Sequence, residues 1–206
     1  GVAHDLNNVL AGLVSYPELV LMDMPKDSPY RKHILRIQKS GEKAAAIVQD
    51  LLTLARRGVV VKEVVNLNAV ISEYLNSPEY DHLRSLHPDV HVRTRFEKEV
   101  PNILGSPTHL FKSIMNLLNN AAEAMPDGGN IHMVTEQQYI HHPINRGTGM
   151  KKGDYVVLTV SDNGLGIPPA DIDHIFEPFY TKKEMGRSGT GLGMAVVWGT
   201  VRDHEG

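Results

Sequence analysis

The first quarter of the chain carries apolar residues at helical spacing. Between Leu6 and Met24 they recur at alternating steps of four and three, which predicts one amphipathic helix with a single apolar seam. Pro17 lies in this seam, and because the pattern continues past it we expect a kink rather than an end. The segment Pro25–Pro29 predicts a turn, with Ser28 as the N-cap of a second helix and Pro29 at its first position.

A second heptad pattern runs from Ile34 to Ala55 and predicts an antiparallel partner for the first helix. A two-helix hairpin with one apolar face cannot bury that face alone, and dimerisation into a four-helix bundle is the usual solution. The alternative is a hairpin that packs on the rest of its own chain. We therefore predict a dimerisation hairpin over residues 1–57, which forms a homodimer, and a linker over residues 58–65.

The pattern changes to mixed helix and strand after residue 65. Asn66 caps a predicted helix that ends at Leu75, Val90–Phe96 alternates like a half-buried strand, and Ser106-Pro107 opens a longer helix. The segments Ile131–Thr135 and Tyr155–Val160 are further predicted strands, joined by a polar, glycine-rich loop. The predicted fold class is α+β: a helical hairpin followed by a mixed α/β domain over residues 66–206.

Composition excludes several classes of protein. A net charge of −3 argues against a nucleic-acid binder with a basic surface. No apolar run approaches the roughly 20 residues that a membrane span needs, and no signal peptide is visible. The absence of cysteine excludes disulfides and thiolate chemistry.

Two asparagines give the first indication of chemistry in the mixed domain. Asn116 and Asn120 lie one turn apart on the helix that follows Ser106, so both project from one polar face. Side-chain amide oxygens are suitable ligands for Mg²⁺, which takes few protein ligands and keeps most of its waters. Two asparagines on a helix are also common as ordinary surface residues, so this pair alone decides nothing.

Glycine-rich segments follow. Asp162 directly follows the most strand-like run, and its carboxylate can accept a hydrogen bond from an exocyclic amine while Gly164 and Gly166 let a flat ligand approach the backbone. The run Gly189–Gly193 opens a helix and exposes backbone N–H groups to an anion. No Gly-Lys-Ser/Thr follows these glycines, which excludes a P-loop. Between the two segments, Phe176–Tyr180 precedes two lysines that either face phosphates or are simply solvated.

These segments, in this order and spacing, resemble the N, G1, F and G2 boxes of the ATP-binding domain of histidine kinases, in the superfamily that includes gyrase, Hsp90 and MutL. The resemblance implies an α/β sandwich of the histidine-kinase ATPase type, with ATP under a lid at about residues 180–190. It implies that Asp162 binds the adenine amine and that Asn120, helped by Asn116, holds Mg²⁺. The implied nucleotide residues are Asn116, Asn120, Asp162, Gly164, Gly166, Lys183, Gly189, Thr190, Gly191, Leu192 and Gly193, with Lys183 and Arg187 as cationic helpers.

Asn116 bears on the type of reaction. Hydrolytic members of the superfamily carry a glutamate at this position, which activates water. An amide cannot take a proton from water at neutral pH. The residue therefore favours phosphoryl transfer onto a protein group over hydrolysis.

The first eight residues resemble the H box of the same family. His4 lies off the apolar seam, so we expect it to face outward, and a neutral imidazole nitrogen is a competent nucleophile. Asp5 can accept a hydrogen bond from the other ring nitrogen. In the family, an acidic residue followed three positions later by asparagine or threonine supports water attack on the phosphorylated partner, and Asp5 with Asn8 matches that pattern.

The prediction is therefore a bacterial sensor histidine kinase core that binds Mg-ATP, phosphorylates His4 and transfers the phosphoryl group to an aspartate of a response regulator receiver domain. We expect it in the cytoplasm, as a fragment of a longer protein with an upstream sensor region and further C-terminal strands. One alternative is a nucleotide-binding signalling scaffold without phosphotransfer. A second is an ATPase of the gyrase and Hsp90 type, and a third, a structural coiled coil, explains residues 1–57 only.

Overall fold

The computed structural model describes residues 2–55, 62–142, 150–182 and 190–206, with the backbone alone for residues 2–9 and 55. The chain divides into two compact units at residue 56. Among the described residues, no helix has the length and apolar character needed to span a membrane.

The first unit is an antiparallel helical hairpin. Helix α1 (Val2–Asp23) contains Pro17 and continues past it, as predicted, and helix α2 is Arg31–Ala55. The guanidinium of Arg31 donates to the carbonyl of Leu21 at 3.1 Å, while a Cβ on Gly41 would lie 2.9 Å from the carbonyl oxygen of Leu13. As the chain advances along α2 its contacts on α1 move back towards the N-terminus, so the helices run in opposite directions at close separation.

The start of α2 differs from the prediction. Proline was expected at the first helical position, but the helix begins at Arg31, two residues after Pro29. The amide of Ile34 donates to the carbonyl of Tyr30, so Tyr30 occupies the capping position. Ser28 instead belongs to the preceding turn, where its hydroxyl accepts a hydrogen bond from the amide of Tyr30 at 3.4 Å.

Serine and asparagine caps set the helix starts in the second unit. Asn66, Ser77 and Ser106 each accept a hydrogen bond from the backbone N–H three residues later, which satisfies an otherwise unpaired donor. The first and third caps were predicted. The helices are α3 (Leu67–Leu75), α4 (Pro78–Leu86), α5 (Pro107–Glu123) and α6 (Gly193–Asp203), with a 3₁₀ turn at Pro169–Asp171.

Five strands form two sheets in the described part of this unit. They are β1 (Glu63–Val65), β2 (Val90–Phe96), β3 (Ile103–Gly105), β4 (Gly129–Ile140) and β5 (Gly153–Asp162). Strand β1 pairs antiparallel with β3, so the last three residues of the predicted linker form a strand. The larger sheet has the order β2-β4-β5, with β2 parallel to β4 and β4 antiparallel to β5.

Helices α3 and α5 pack with the inward face of the larger sheet to form the core of the second unit. Ile71 on α3, Leu118 on α5, and Ile131 and Met133 on β4 are all fully buried. The buried hydroxyl of Thr135, on the same strand, donates to the side chain of Asn68 at 2.7 Å. The α+β prediction is thus confirmed, with a helical first part and a mixed sheet domain after it.

Candidate functional site

Helix α5 lies at the centre of the candidate site. Ile114 and Ala121 of the predicted apolar stripe are buried, but so is Asn116, which is 9% exposed. The face that carries Asn116 was predicted to be polar, opposite the apolar stripe. It is covered by α6, because the Nδ2 of Asn116 donates to the carbonyl oxygen of Gly193 at 3.2 Å. Two predicted site residues from distant segments therefore meet.

The oxygen donors on α5 fit a magnesium ion chemically. Since its amide nitrogen is committed to Gly193, the amide oxygen of Asn116 is held on the other side of the amide group. Asn120, one turn further, is half-buried rather than enclosed. Two neutral oxygen donors suit an ion that keeps most of its waters. No cluster of three or more histidine or acidic side chains that could hold a metal is found in the described residues.

The segment after β5 is fastened to the end of α5. Asp162, the last residue of the strand, accepts a hydrogen bond from the amide of Gly164 at 2.9 Å. The amide of Leu165 donates to the carbonyl of Ala124 at 3.0 Å, and a Cβ on Gly164 would lie 2.5 Å from that same oxygen. Gly164 is therefore required for close approach to the helix end, and the loop leaves the Asp162 side chain exposed.

Two other residues of this loop have separate roles. Asn163, which was not among the predicted site residues, accepts a hydrogen bond from the amide of Asn130 at 2.8 Å and so joins the loop to the start of β4. Gly166 has a φ of +70°, and a Cβ at this position would meet nothing within 4 Å, so the glycine supplies conformation rather than close packing. The sequence-based interpretation gave both glycines of this segment the same role, and the structure separates them.

The aromatic and second glycine segments also meet. The amide of Phe179 donates to the carbonyl of Gly191 at 2.9 Å. Gly191 has a φ of +68°, and a Cβ there would lie 2.5 Å from the carbonyl carbon of Phe179. Thr190 accepts a hydrogen bond from the amide of Leu192, which is fully buried and precedes the first turn of α6. The glycine run thus opens a helix, as predicted.

An ion pair lies next to the aromatic segment. The carboxylate of Asp171 accepts hydrogen bonds from the hydroxyl of Tyr180 at 2.8 Å and the ammonium of Lys182 at 2.6 Å. The Lys182 hydrogen bond, followed by that of Tyr180, holds the pKa of Asp171 below its usual range, and the same carboxylate raises the pKa of Lys182. Nearby, the hydrogen bond to Glu177 raises the pKa of His174. From the sequence, Lys182 was expected either to face phosphates or to be solvated. Nothing in the sequence indicated that Asp171 would pair with it.

A histidine at the end of α6 also escaped prediction. The Nε2 of His204 accepts a hydrogen bond from the amide of Ser106 at 2.9 Å, and its Nδ1 lies 2.7 Å from the carbonyl of Thr200. Burial, the largest influence, lowers the pKa of His204. A single histidine after a helix carries no signal in one sequence, so only the fold reveals this contact.

The remaining predicted residues fall in three groups. His4, Asp5 and Asn8 lie within α1, where the backbone alone is described. Lys183, Arg187 and Gly189 lie outside the described residues. The others lie in segments that meet around α5: one contact joins Asn116 to Gly193, a second joins Gly164 to Ala124, and a third joins Gly191 to Phe179.

Comparison with known families identifies both units. Residues 1–58 match the family model described as the His Kinase A (phospho-acceptor) domain. Residues 105–206 match that of the histidine kinase-, DNA gyrase B- and HSP90-like ATPase. The chain belongs to the histidine kinase family. The first matched segment contains the residues that resemble the H box, and the second contains all four nucleotide-box segments. The family resemblance stated from the motifs is therefore confirmed.

The curated relatives are bacterial kinases. The chain is 31% identical over 212 residues to the sensor kinase CckA of Brucella abortus, covering 100% of this chain and 21% of that protein. It is 31% identical over 208 residues to sporulation kinase A of Bacillus subtilis, covering 100% of the chain and 30% of the relative. The chain therefore spans about a fifth to a third of the length of these two proteins.

Solved structures of histidine kinases share the fold. A mycobacterial sensor histidine kinase, MprB, matches with a TM-score of 0.52 at 28% identity, over 70% of this chain and 80% of that one. Full-length ShkA in complex with AMPPNP matches with a TM-score of 0.66 at 21% identity, over 95% of this chain and 38% of that one. The histidine kinase ThkA in complex with the response regulator TrrA matches with a TM-score of 0.56 at 21% identity, over 87% of this chain and 49% of that one.

Proposed function

We propose that this chain is the core of a sensor histidine kinase that binds Mg-ATP in its second unit and phosphorylates His4 in its first. The observation that carries the proposal is that the four nucleotide-box segments meet: Asn116 on α5 contacts Gly193, Gly164 contacts the end of α5, and Gly191 contacts Phe179. AMPPNP, named with ShkA, is an ATP analogue, and this supports the choice of ATP as the ligand.

In this proposal the residues of the second unit bind and orient the nucleotide. Asp162 accepts a hydrogen bond from the adenine amine, and the backbone of residues 190–193 lies beside the phosphates at the start of α6. Asn120, with Asn116, holds Mg²⁺, which neutralises phosphate charge when bound. The proposal also includes the sequence-based prediction that Lys183, Arg187 and Gly189 act at the phosphates.

In the transfer step, a ring nitrogen of His4 attacks the γ-phosphorus while the bond to the β–γ bridging oxygen breaks and ADP leaves. Asp5 accepts a hydrogen bond from the other ring nitrogen and compensates the positive charge that develops on the ring. The phosphoryl group then passes to an aspartate of a response regulator receiver domain. Asp5 and Asn8 also support the reverse function, water attack on the phosphorylated regulator. A response regulator is named with the related ThkA, which supports this class of partner.

The hairpin supplies the dimer. Leu13 and Val20 are 47% and 44% exposed although both belong to the predicted seam. They line an apolar groove of about 450 Å³ together with Pro17 and Ile34, and a second hairpin would cover it. We place the protein in the bacterial cytoplasm on the basis of its ATP substrate.

The test is incubation with γ-labelled ATP and Mg²⁺, comparing the chain with His4→Ala. We expect acid-labile, alkali-stable label in the parent and none in the variant. The matched control is His33→Ala, because His33 is an exposed histidine of the same hairpin on α2 and its loss should leave labelling unchanged. Nucleotide binding without label would favour the signalling scaffold. Sustained ATP turnover without a phosphoprotein would favour the ATPase.

A further inference from the structure

Helices α5 and α6 are tied together at both ends of α6. At its start, the Asn116 side chain donates to the carbonyl of Gly193. At its end, the imidazole of His204 accepts a hydrogen bond from the amide of Ser106, which caps α5. The face between the ties buries apolar residues, including Val196 at 1% exposed. The two ties therefore fix the axial position of α6 against the helix that carries the predicted magnesium ligands.

The second tie requires a neutral histidine in one tautomer. The carbonyl of Thr200 can only accept a hydrogen bond, so the Nδ1 of His204 must carry the proton. The amide of Ser106 can only donate, so the Nε2 must be bare. Protonation would place a second N–H opposite the Ser106 amide and break the tie.

The surroundings of the ring leave it no alternative position towards β3. A Cβ on Gly105, the last residue of β3, would lie 2.6 Å from both the Cδ2 and the Nε2 of His204. The titratable groups that act on the ring are Lys62, before β1, and His109, on α5, which disfavour a charged imidazole, and Asp203, which favours one. Burial, the largest influence on the pKa of His204, acts in the same direction as Lys62 and His109.

We propose that His204 is a positioning residue of the nucleotide site, which in its neutral form holds α6, and with it the glycine segment at Gly193, in register with Asn116 and Asn120. The inference rests on the nucleotide binding proposed above and adds a residue that touches no nucleotide. Because the tie needs an uncharged ring, this contribution is present above the ordinary histidine pKa of about 6.5 and is lost as the pH falls through the lower folded value.

The first experiment compares ATP affinity of the parent chain and His204→Gln by calorimetry between pH 8 and pH 5. The glutamine oxygen can accept from Ser106 but does not titrate. Protonation of ATP itself affects both proteins equally and cancels in the ratio of their dissociation constants. We expect the parent to lose about three- to tenfold more affinity than the variant towards acid pH. His82→Gln, at an exposed histidine on α4 that does not act on the ring of His204, should follow the parent.

The second experiment displaces the ring without changing a polar group. Gly105→Ala should weaken ATP binding at pH 8 about as much as His204→Ala, and the double variant should be no weaker than either, because both remove the same tie. Gly153→Ala is the control, since a Cβ there meets nothing within 4 Å. Additive losses, or a Gly105→Ala protein that binds like the parent, would overturn the proposal.

Hydrogen exchange of α6 reports the tie without nucleotide. We expect peptides over residues 193–203 to lose protection towards acid pH in the parent and not in His204→Gln. Equal behaviour of the two proteins would reject the role of His204 even in a chain that binds ATP well. Failure of the parent to bind ATP at pH 8 would instead reject the proposed function, so the two failures are distinguishable.

Discussion

The two units of the chain bury their apolar side chains in different ways. In the second unit Ile71, Leu118 and Met133 are fully buried in one core. In the hairpin, Leu10 and Pro17 are the only buried apolar side chains among those described, while Tyr16 and Leu19 are 72% and 56% exposed. The second unit thus has a core of its own, whereas the hairpin needs another surface to cover it.

The glycines of the two units also have different packing roles. Gly41 of the hairpin lets two helices approach each other closely. Gly164 and Gly191 of the second unit let loops approach a helix end and another loop. We infer that packing in the hairpin mainly determines assembly, whereas packing in the second unit mainly shapes a site.

The largest expected effect is in the core of the second unit. Leu118→Ala removes a fully buried side chain from α5 and should lower the free energy of unfolding by about 2–5 kcal/mol. Urea unfolding followed by circular dichroism measures this loss. Leu86→Ala on α4, where the side chain is 62% exposed, should change the stability by less than about 0.5 kcal/mol. Similar losses in both variants would contradict the contrast between core and surface.

Next in size is the contact between the loop after β5 and α5. Gly164→Ala places a carbon against the carbonyl of Ala124 and should weaken ATP binding on the order of tenfold or more by moving the loop that carries Asp162. Calorimetric titration with ATP provides the measurement. Gly153→Ala, at an open position, should bind normally. An unaffected Gly164→Ala protein would show that the loop does not position Asp162.

In the hairpin, two glycines give a matched pair. Gly41→Ala puts a Cβ 2.9 Å from the carbonyl oxygen of Leu13 and should destabilise the hairpin by about 1–3 kcal/mol. Gly12→Ala meets only the flexible ring of Tyr16, at 3.4 Å, and should stabilise α1 by up to about 1 kcal/mol. Hydrogen exchange of residues 10–54 in the whole chain should separate the two. If both variants changed the stability of the hairpin in the same direction, the result would argue against a close helix contact at Gly41.

The smallest effect concerns the ion pair beside the aromatic segment. The pKa of Asp171 is lowered by Lys182 and Tyr180, so its contribution to stability is present above the ordinary value of about 3.9 and is lost as the pH falls through the lower folded value. Asp171→Asn should therefore reduce the melting temperature at pH 7, and its difference from the parent should shrink as the pH falls below about 3.9. Asp173→Asn, the neighbouring carboxylate, serves as the comparison. A constant difference across this range would show that the charge of Asp171 is not the cause.

Local signals in the sequence predicted much of the second unit. Asn66 and Ser106 are predictable as caps because a short polar side chain precedes an apolar helical pattern, and both are caps in the structure. The same Ser-Pro signal stands at Ser77 and was not used, which is why α4 was missed. Strands β1 and β3 escaped prediction because each has three residues and pairs across roughly forty positions of the chain.

The site was only partly predictable, because its motifs identify the residues expected to contact the ligand but not the residues that hold them in position. Asn116 and Gly164 were found from their segments, but their contacts with Gly193 and Ala124 depend on how those segments fold together. His204 and Asp171 carry no local pattern. The exposed seam of the hairpin was expected from its heptads, and the dimer that would cover it stays a prediction.

The parallel pairing of β2 with β4 also has a consequence for how the chain forms. Each residue of β2 pairs with one that lies 39 positions later, while β4 and β5 are neighbours in sequence and antiparallel. At a translation rate of about 5–20 residues per second, β2 leaves the ribosome roughly 2–8 s before its partner strand is complete. Since pairs distant in sequence form slowly, β2 stays without its partner during this part of synthesis, and the larger sheet can close only after β4 has been made.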